Sequence, residues 1–205
     1  MNPEFENILR RVKDMYLRYG IKSVTMDDIA RELGVSKKTL YSYVQDKNDL
    51  VDHVFRMETR CRQEQFSGIF KKGLNAIEEV MDVHKYVNNL LREHNPSVEY
   101  DLKKYHPEIH HQYHAARQKK MYDTVLNNLK KGKEEGLYRS DLDEEIIAKL
   151  QVARYISMFD SEMINIDDLI SKKFIREVFI FFIRGIASEK GIHVLEKKME
   201  ELNTE

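Results

Sequence analysis

Residues 24–50 read VTMDDIARELGVSKKTLYSYVQDKNDL. Thr25 and Asp28 stand three apart, the spacing at which a helix-opening hydroxyl and a carboxylate cap each other's backbone amides, with Val24 and Ile29 placed to staple the turn. The same grammar repeats at once, with Ser36 as cap and Val35 and Leu40 as staple. Gly34 lies between and supplies the backbone freedom of a tight turn. Ala30 is small enough to let two helices cross closely, while Ile29, Leu33, Val35, Leu40 and Val44 are apolar and fill the gap. Two short helices, a glycine turn and a shared apolar interior make a helix-turn-helix, whose second helix enters a DNA major groove.

The exposed side of that second helix tests the reading. With Leu40 and Val44 turned inward, Lys38 and Ser42 point most directly out, flanked by Thr39 and Tyr41, and Lys37 sits on the first turn. From Arg10 to Lys47 nine basic residues stand against five acidic ones, a local charge of +4 in a chain whose net charge is −1. A near-neutral chain is no wholesale polycation, so a nucleic-acid surface has to be local, as here.

Beyond this motif the 205 residues read as helix almost throughout. Phe5, Ile8, Leu9, Val12, Met15 and Tyr16 recur at three- and four-residue steps until Gly20. A fourth helix opens near Asp46, and Gly68 and Gly73 precede a fifth from Ala76 to Leu91. Asn95-Pro96-Ser97 is the clearest break, followed by a turn through Tyr105. Pro107 then starts a helix running to about Glu135. Asp141 or Asp143 caps a helix through Phe159, and Asp167 or Asp168 caps the last long one, to Ala187. Only 8 Gly and 3 Pro argue against a turn-rich β fold. The expected class is all-α, with a DNA-binding domain at 1–48 and a helical regulatory and dimerisation domain at 49–205.

Val178–Ile183 is a run of six apolar residues, long enough for a buried strand. It lies in a stretch without Gly or Pro until Gly185, so it is read as helix. A helix apolar nearly all round needs cover nearly all round, which a second copy of the chain supplies most easily. Phe179, Phe182 and Ile183 are the candidates for that dimer interface or for the core beneath it.

The stretch 25–50 resembles the DNA-binding domain of the TetR family of bacterial transcriptional regulators. The residues that carry the likeness are Ile29-Ala30, Gly34-Val35, Ser36, Thr39-Leu40-Tyr41, Tyr43-Val44 and Lys47 to Leu50. Val44 departs from the commoner Phe. The segment GKEEGLYRSDLDEEIIA, 132–148, is similar to the loop that precedes the family's dimerisation helices. The resemblance implies a homodimer on a double-stranded DNA operator, with Thr25, Ser36, Lys37, Thr39, Tyr41, Tyr43 and Lys47 as DNA contacts, chiefly to phosphate. Lys38 is added from the helical wheel alone. It also implies a small-molecule effector held among the later helices, for which Tyr86, Tyr122 and Met158 are candidate wall residues.

Residues 105–114 read YHPEIHHQYH, with His106, His110 and His114 at steps of four. The His110–His114 pair has the helical spacing of zinc ligands. No Cys lies near, no H-E-x-x-H order is present, and three such histidines drift about 80° around a helix. Tyr105-His106-Pro107-Glu108 is also similar to the start of this helix in the family. The expectation is therefore no metal and no cofactor, with a metal-dependent protein or a ligand carrier without DNA binding as the rival readings. No phosphate loop, nucleophile elbow or carboxylate pair stands out to found an enzyme. The lone Cys61 and the charged first twenty residues fit a reducing, cytoplasmic setting without membrane insertion.

Overall fold

The computed structural model describes residues 2–92 and 95–204. Among them eleven helices follow one another: α1 (Pro3–Tyr19), α2 (Met26–Leu33), α3 (Lys37–Tyr41), α4 (Lys47–Phe70), α5 (Ala76–Arg92), α6 (Pro96–Tyr105), α7 (Pro107–Glu134), α8 (Glu144–Asp160), α9 (Ile166–Ile170), α10 (Lys172–Ile186) and α11 (Glu189–Thr204). The fold is all-α, and none of these helices is long and apolar enough to cross a membrane.

Local chemistry sets most of the boundaries. Asn2, Thr25, Ser36, Asn95, Asp143, Asn165 and Ser171 each cap a helix by accepting an amide hydrogen bond. Gly34, at φ 70°, ends α2 in the left-handed conformation, and its amide donates to the carbonyls of Ala30 and Arg31. Three elements differ from the sequence reading. The turn expected through Tyr105 is the ten-residue helix α6, because Asn95 caps it and Pro96 costs nothing at its first position. The last apolar helix starts at Lys172 under the cap Ser171, while Asp168 completes a capping box on the short α9. Gly68, which the sequence sets ahead of the fifth helix, lies inside α4.

The chain forms two compact units, Met1–Gln65 with Asn95–Ala116, and Phe66–His94 with Arg117–Glu205. The first unit is thus larger than the expected 1–48. Its core holds Leu9, Val12, Tyr16, Ile21, Ile29, Leu40, Leu50 and Val51, and Leu102 of α6 is fully buried in the same cluster. Polar bonds support this packing: the Lys22 amide donates to Asp101 Oδ2 at 2.8 Å, and Asn95 Nδ2 donates to the Leu17 carbonyl at 2.6 Å. The first part of α4, through Leu50, Val51, Val54 and Met57, and the buried α6 together carry the unit past residue 48.

The second unit packs Ala76, Ile77, Leu129, Tyr138, Phe179, Ile183 and Leu195. Its buried polar groups satisfy one another: Lys131 Nζ donates to Glu79 Oε1 at 2.6 Å, Asn128 Nδ2 to the Ala76 carbonyl at 2.9 Å, and Tyr138 Oη to Asn128 Oδ1 at 2.9 Å. The loop residue Leu137 passes so close to α11 that a Cβ on Gly191 would meet its carbonyl oxygen at 2.0 Å. Only glycine fits there.

The apolar run is helical, and its faces separate clearly. Phe179 and Ile183, expected at a partner interface or in the core, lie in the chain's own core. Phe182 is half-buried, with the Arg154 guanidinium 5.6 Å from its ring centroid. The uncovered aromatic is Phe181, 77% exposed. Phe174, Val178, Phe181 and Gly185 form one stripe of α10, and α8 exposes Ile146, Leu150 and Ala153 at helical spacing.

Candidate nucleic-acid interface

Thr25 is built into the reciprocal cap that the spacing predicts: the Asp28 amide donates to its Oγ1 at 3.1 Å, and its own amide donates to Asp28 Oδ2 at 3.0 Å. Hydrogen bonds to the Asp28 carboxylate from the Thr25 hydroxyl, then from the Thr25 amide, hold that carboxyl below the usual carboxylate range. Ser36 accepts the Thr39 amide at 3.0 Å, and the two hydroxyls are 2.8 Å apart. Both caps stay exposed at the start of their helices, while Thr39 is half-buried.

On α3, Leu40 is fully buried and Val44 beyond it nearly so, which turns Lys37, Lys38, Tyr41 and Ser42 to the surface. Tyr41 is 47% exposed. Ser42 Oγ donates back to the Thr39 carbonyl at 2.6 Å and closes this five-residue helix. Lys37 pairs with Asp27 on α2, so its charge is partly spent inside the motif.

Tyr43 and Lys47 are held more firmly. The Tyr43 ring stacks on Phe5 of α1 with centroids 5.0 Å apart and planes within 4°, and a hydrogen bond to Glu4 raises its phenol pKa. Lys47 opens α4, and its Nζ donates to the Lys22 carbonyl at 3.2 Å. Burial lowers its pKa, while the Asp101 charge acts the other way. The +4 of this region is also partly neutralised, since Arg10 pairs with Glu6 at 3.0 Å and Lys13 with Glu58 at 3.2 Å. The surface offers a few directed donors rather than a broad cationic field.

The other candidates fall elsewhere. Tyr86 (α5), Tyr122 (α7) and Met158 (α8) are each half-buried in the second unit, with the Tyr86 ring 5.6 Å from that of Phe66. The histidines divide. His106 caps the end of α6, its Nδ1 2.7 Å from Asn48 Oδ1, and burial lowers its pKa. His110 and His114 instead face Glu99 of α6, whose Oε1 lies 3.1 Å from one Nε2 and 2.6 Å from the other. Burial works to raise the Glu99 pKa, but the hydrogen bonds and charge of His114, then His110, outweigh it and hold it at about 2. The sequence reading of the histidines missed Glu99, because the partnership depends on α6 folding back along α7.

Residues 8–54 match the family model described as "Bacterial regulatory proteins, tetR family". The chain is 36% identical over 64 residues to the HTH-type transcriptional regulator SAB2452 of Staphylococcus aureus, which covers 31% of this chain and 34% of that one. It is 33% identical over 85 residues to the uncharacterized HTH-type transcriptional regulator YvaF of Bacillus subtilis, covering 41% of this chain and 45% of that one. The matches thus span less than half the length of these relatives. Among solved structures, a transcriptional regulator from Cytophaga hutchinsonii superposes with TM-score 0.78 at 18% identity, over 91% of this chain and 100% of that one. A putative transcriptional regulator from Saccharomonospora viridis, in complex with choline, superposes with TM-score 0.72 at 21% identity, over 91% and 99% of the two chains. At these identities the superpositions show the fold.

Proposed function

From the match of residues 8–54 to the tetR family model, we propose that the chain is a homodimeric transcriptional repressor of that family. It binds a pseudo-palindromic duplex operator and leaves it when a small molecule binds. The observation that carries this reading is the α2–turn–α3 unit, with Leu40 and Val44 inward and Lys38, Tyr41 and Ser42 outward, inside the residues that match the family model. Thr25, Ser36, Lys37, Thr39, Tyr41, Tyr43 and Lys47 position the protein on phosphates. Lys38, at the middle of the exposed face, reads a base edge.

Selection of bound fragments from genomic DNA tests the reading. A pseudo-palindrome should emerge whose half-sites lie about one turn, ~34–36 Å, apart, the spacing that puts two recognition helices in successive major grooves. Repeating the selection with Lys38→Ala should relax preference at one base position per half-site and leave the others intact. Recovery of no preferred sequence by the unmodified protein would favour a helical ligand carrier without DNA binding.

The dimer rests on α8 and α10. What supports this is the apolar stripe Phe174–Val178–Phe181–Gly185, half-buried at its start and exposed at Phe181, together with the exposed Ile146 and Leu150 of α8. Gly185 leaves open space where a Cβ would stand, so a second helix can approach closely. Two helices from each copy make a four-helix bundle with a self-complementary two-fold face.

The effector is an apolar or amphipathic small molecule bound in the second unit, with Tyr86, Tyr122 and Met158 on its wall. Such a ligand weakens operator binding only by its differential affinity for the two states of the protein. A tenfold loss corresponds to about 1.4 kcal/mol. Linkage then requires that operator weaken ligand binding by the same factor, which titration of each in the presence of the other measures. Unequal factors, or ligands that leave operator affinity untouched, would remove the effector from the scheme.

A further inference from the structure

Glu99, His110 and His114 are the one group of metal-ligating side chains gathered among the described residues, their ligand atoms all within 4.8 Å of one another. We propose that these three residues form a binding site for a divalent transition-metal ion of the zinc class, joining α6 to α7.

The geometry is favourable from both helices. His110 and His114 stand four apart on one face of α7, their ring centroids 4.2 Å apart. Each Nε2 faces the same oxygen, Glu99 Oε1, at 3.1 and 2.6 Å, so the three donors converge on one point. Zinc bonds of about 2.0–2.1 Å would set neighbouring ligand atoms roughly 3.3 Å apart in a tetrahedron. The two imidazole–carboxylate contacts therefore need to open by about 0.2 and 0.7 Å, at the free ends of side chains. All three are half-buried, with side-chain exposures of 21%, 31% and 34%, which keeps the carboxylate away from bulk water yet leaves an entry path.

The donor set selects the metal. Two imidazoles and a carboxylate suit Zn²⁺, Ni²⁺ or Co²⁺, whereas Mg²⁺ and Ca²⁺ prefer oxygen throughout and Cu⁺ prefers sulfur. Three protein ligands leave a coordination position open to water. The site lies wholly within the first compact unit, where α6 is also bonded to the segment between α1 and α2 through Asp101 and Lys22. A bound ion would replace the two hydrogen-bonded contacts between Glu99 and the α7 histidines with coordinate bonds and stiffen that junction.

The experiment is a titration of the full chain, stripped with a chelator and returned to metal-free buffer, with zinc in competition with a chromophoric chelator. One equivalent per chain should bind, and an excess of Mg²⁺ should not displace it. His114→Ala and His110→Ala should each weaken binding by roughly 100-fold or more, and Glu99→Gln, nearly isosteric, by at least roughly tenfold. His111→Ala, exposed on the adjacent face, should bind like the parent. Circular dichroism checks that each variant is folded, and Glu99→Gln and His110→Gln decide the matter if an alanine variant is not. Co²⁺ should give the strong visible absorption of a low-coordinate site. Absence of stoichiometric binding, or binding unchanged in the folded Glu99 and His110 variants, overturns the proposal. No DNA enters the measurement, so its failure leaves the regulator reading standing.

Discussion

Raising salt from 50 to 200 mM should weaken duplex binding by roughly 10³–10⁵-fold, the loss expected when a dimer neutralises about 6–10 phosphates and releases their counterions. The chain has no net positive charge to spread over DNA, and Arg10, Lys13 and Lys37 already have carboxylate partners within the protein. Binding therefore rests on a small number of donors. Removing the Tyr41 hydroxyl or the Lys47 ammonium should cost about 1–3 kcal/mol on every sequence, the range for hydrogen bonds to charged groups. Lys47 also donates to the Lys22 carbonyl, so a loss of affinity alone would not separate a phosphate contact from a structural one. The salt slope does separate them. Lys47→Met should reduce it by about one for each recognition helix, whereas a purely structural role would leave it unchanged. Binding that ignored salt would exclude phosphate recognition altogether.

Phe181→Asp should convert the protein to a folded monomer. The ring is 77% exposed in the single chain, so the substitution removes nothing from the core. Covering it in a dimer takes on the order of 120 Å² of apolar surface from water, about 3 kcal/mol at ~25 cal/mol per Å². A two-fold interface uses the residue twice, so roughly 6 kcal/mol, or about 10⁴-fold in dissociation constant, is at stake before the new carboxylates are counted. Sedimentation should show monomer with an unchanged helical spectrum, and affinity for the palindrome should fall to that of a half-site. Phe179→Asp is the contrast. That ring is buried beside His84 and Ile183, and its replacement should unfold the second unit. A Phe181→Asp protein that remained dimeric would move the interface off α10.

The difference between these two phenylalanines shows where sequence reading stops. Six apolar residues in a row identify a buried helix, but with no polar residue among them they do not say which side faces the chain's own core. Packing of α10 against α5 and α9 decides that, and it turns Phe179 and Ile183 in and Phe181 out. The helix-turn-helix was legible because each of its parts is local: caps three residues apart, staples across them, a glycine between. The start of α6 was equally local, with Asn95 as cap, Pro96 in the first turn and Lys103 and Lys104 in the last. Asn-Pro reads as a break in the sequence, yet it is also a good helix opening. Glu99 belongs to a different class of omission. Nothing near it in sequence marks it as the partner of residues eleven and fifteen positions on; the α6–α7 fold makes the group.

The burial of Leu102 and Ile109 with Leu9, Ile29 and Leu40 also has a consequence for synthesis on the ribosome. The first compact unit is interrupted in sequence, and its second piece ends about 50 residues after Gln65. At a translation rate of roughly 5–20 residues per second, those residues take about 3–10 s to appear. For that interval the nascent helix-turn-helix has emerged without the α6 side chains that complete its core. The intervening segment, Phe66–His94, belongs to the other unit and waits in turn for Arg117 and beyond. The first unit can therefore close while the ribosome is still reading the second, which closes last.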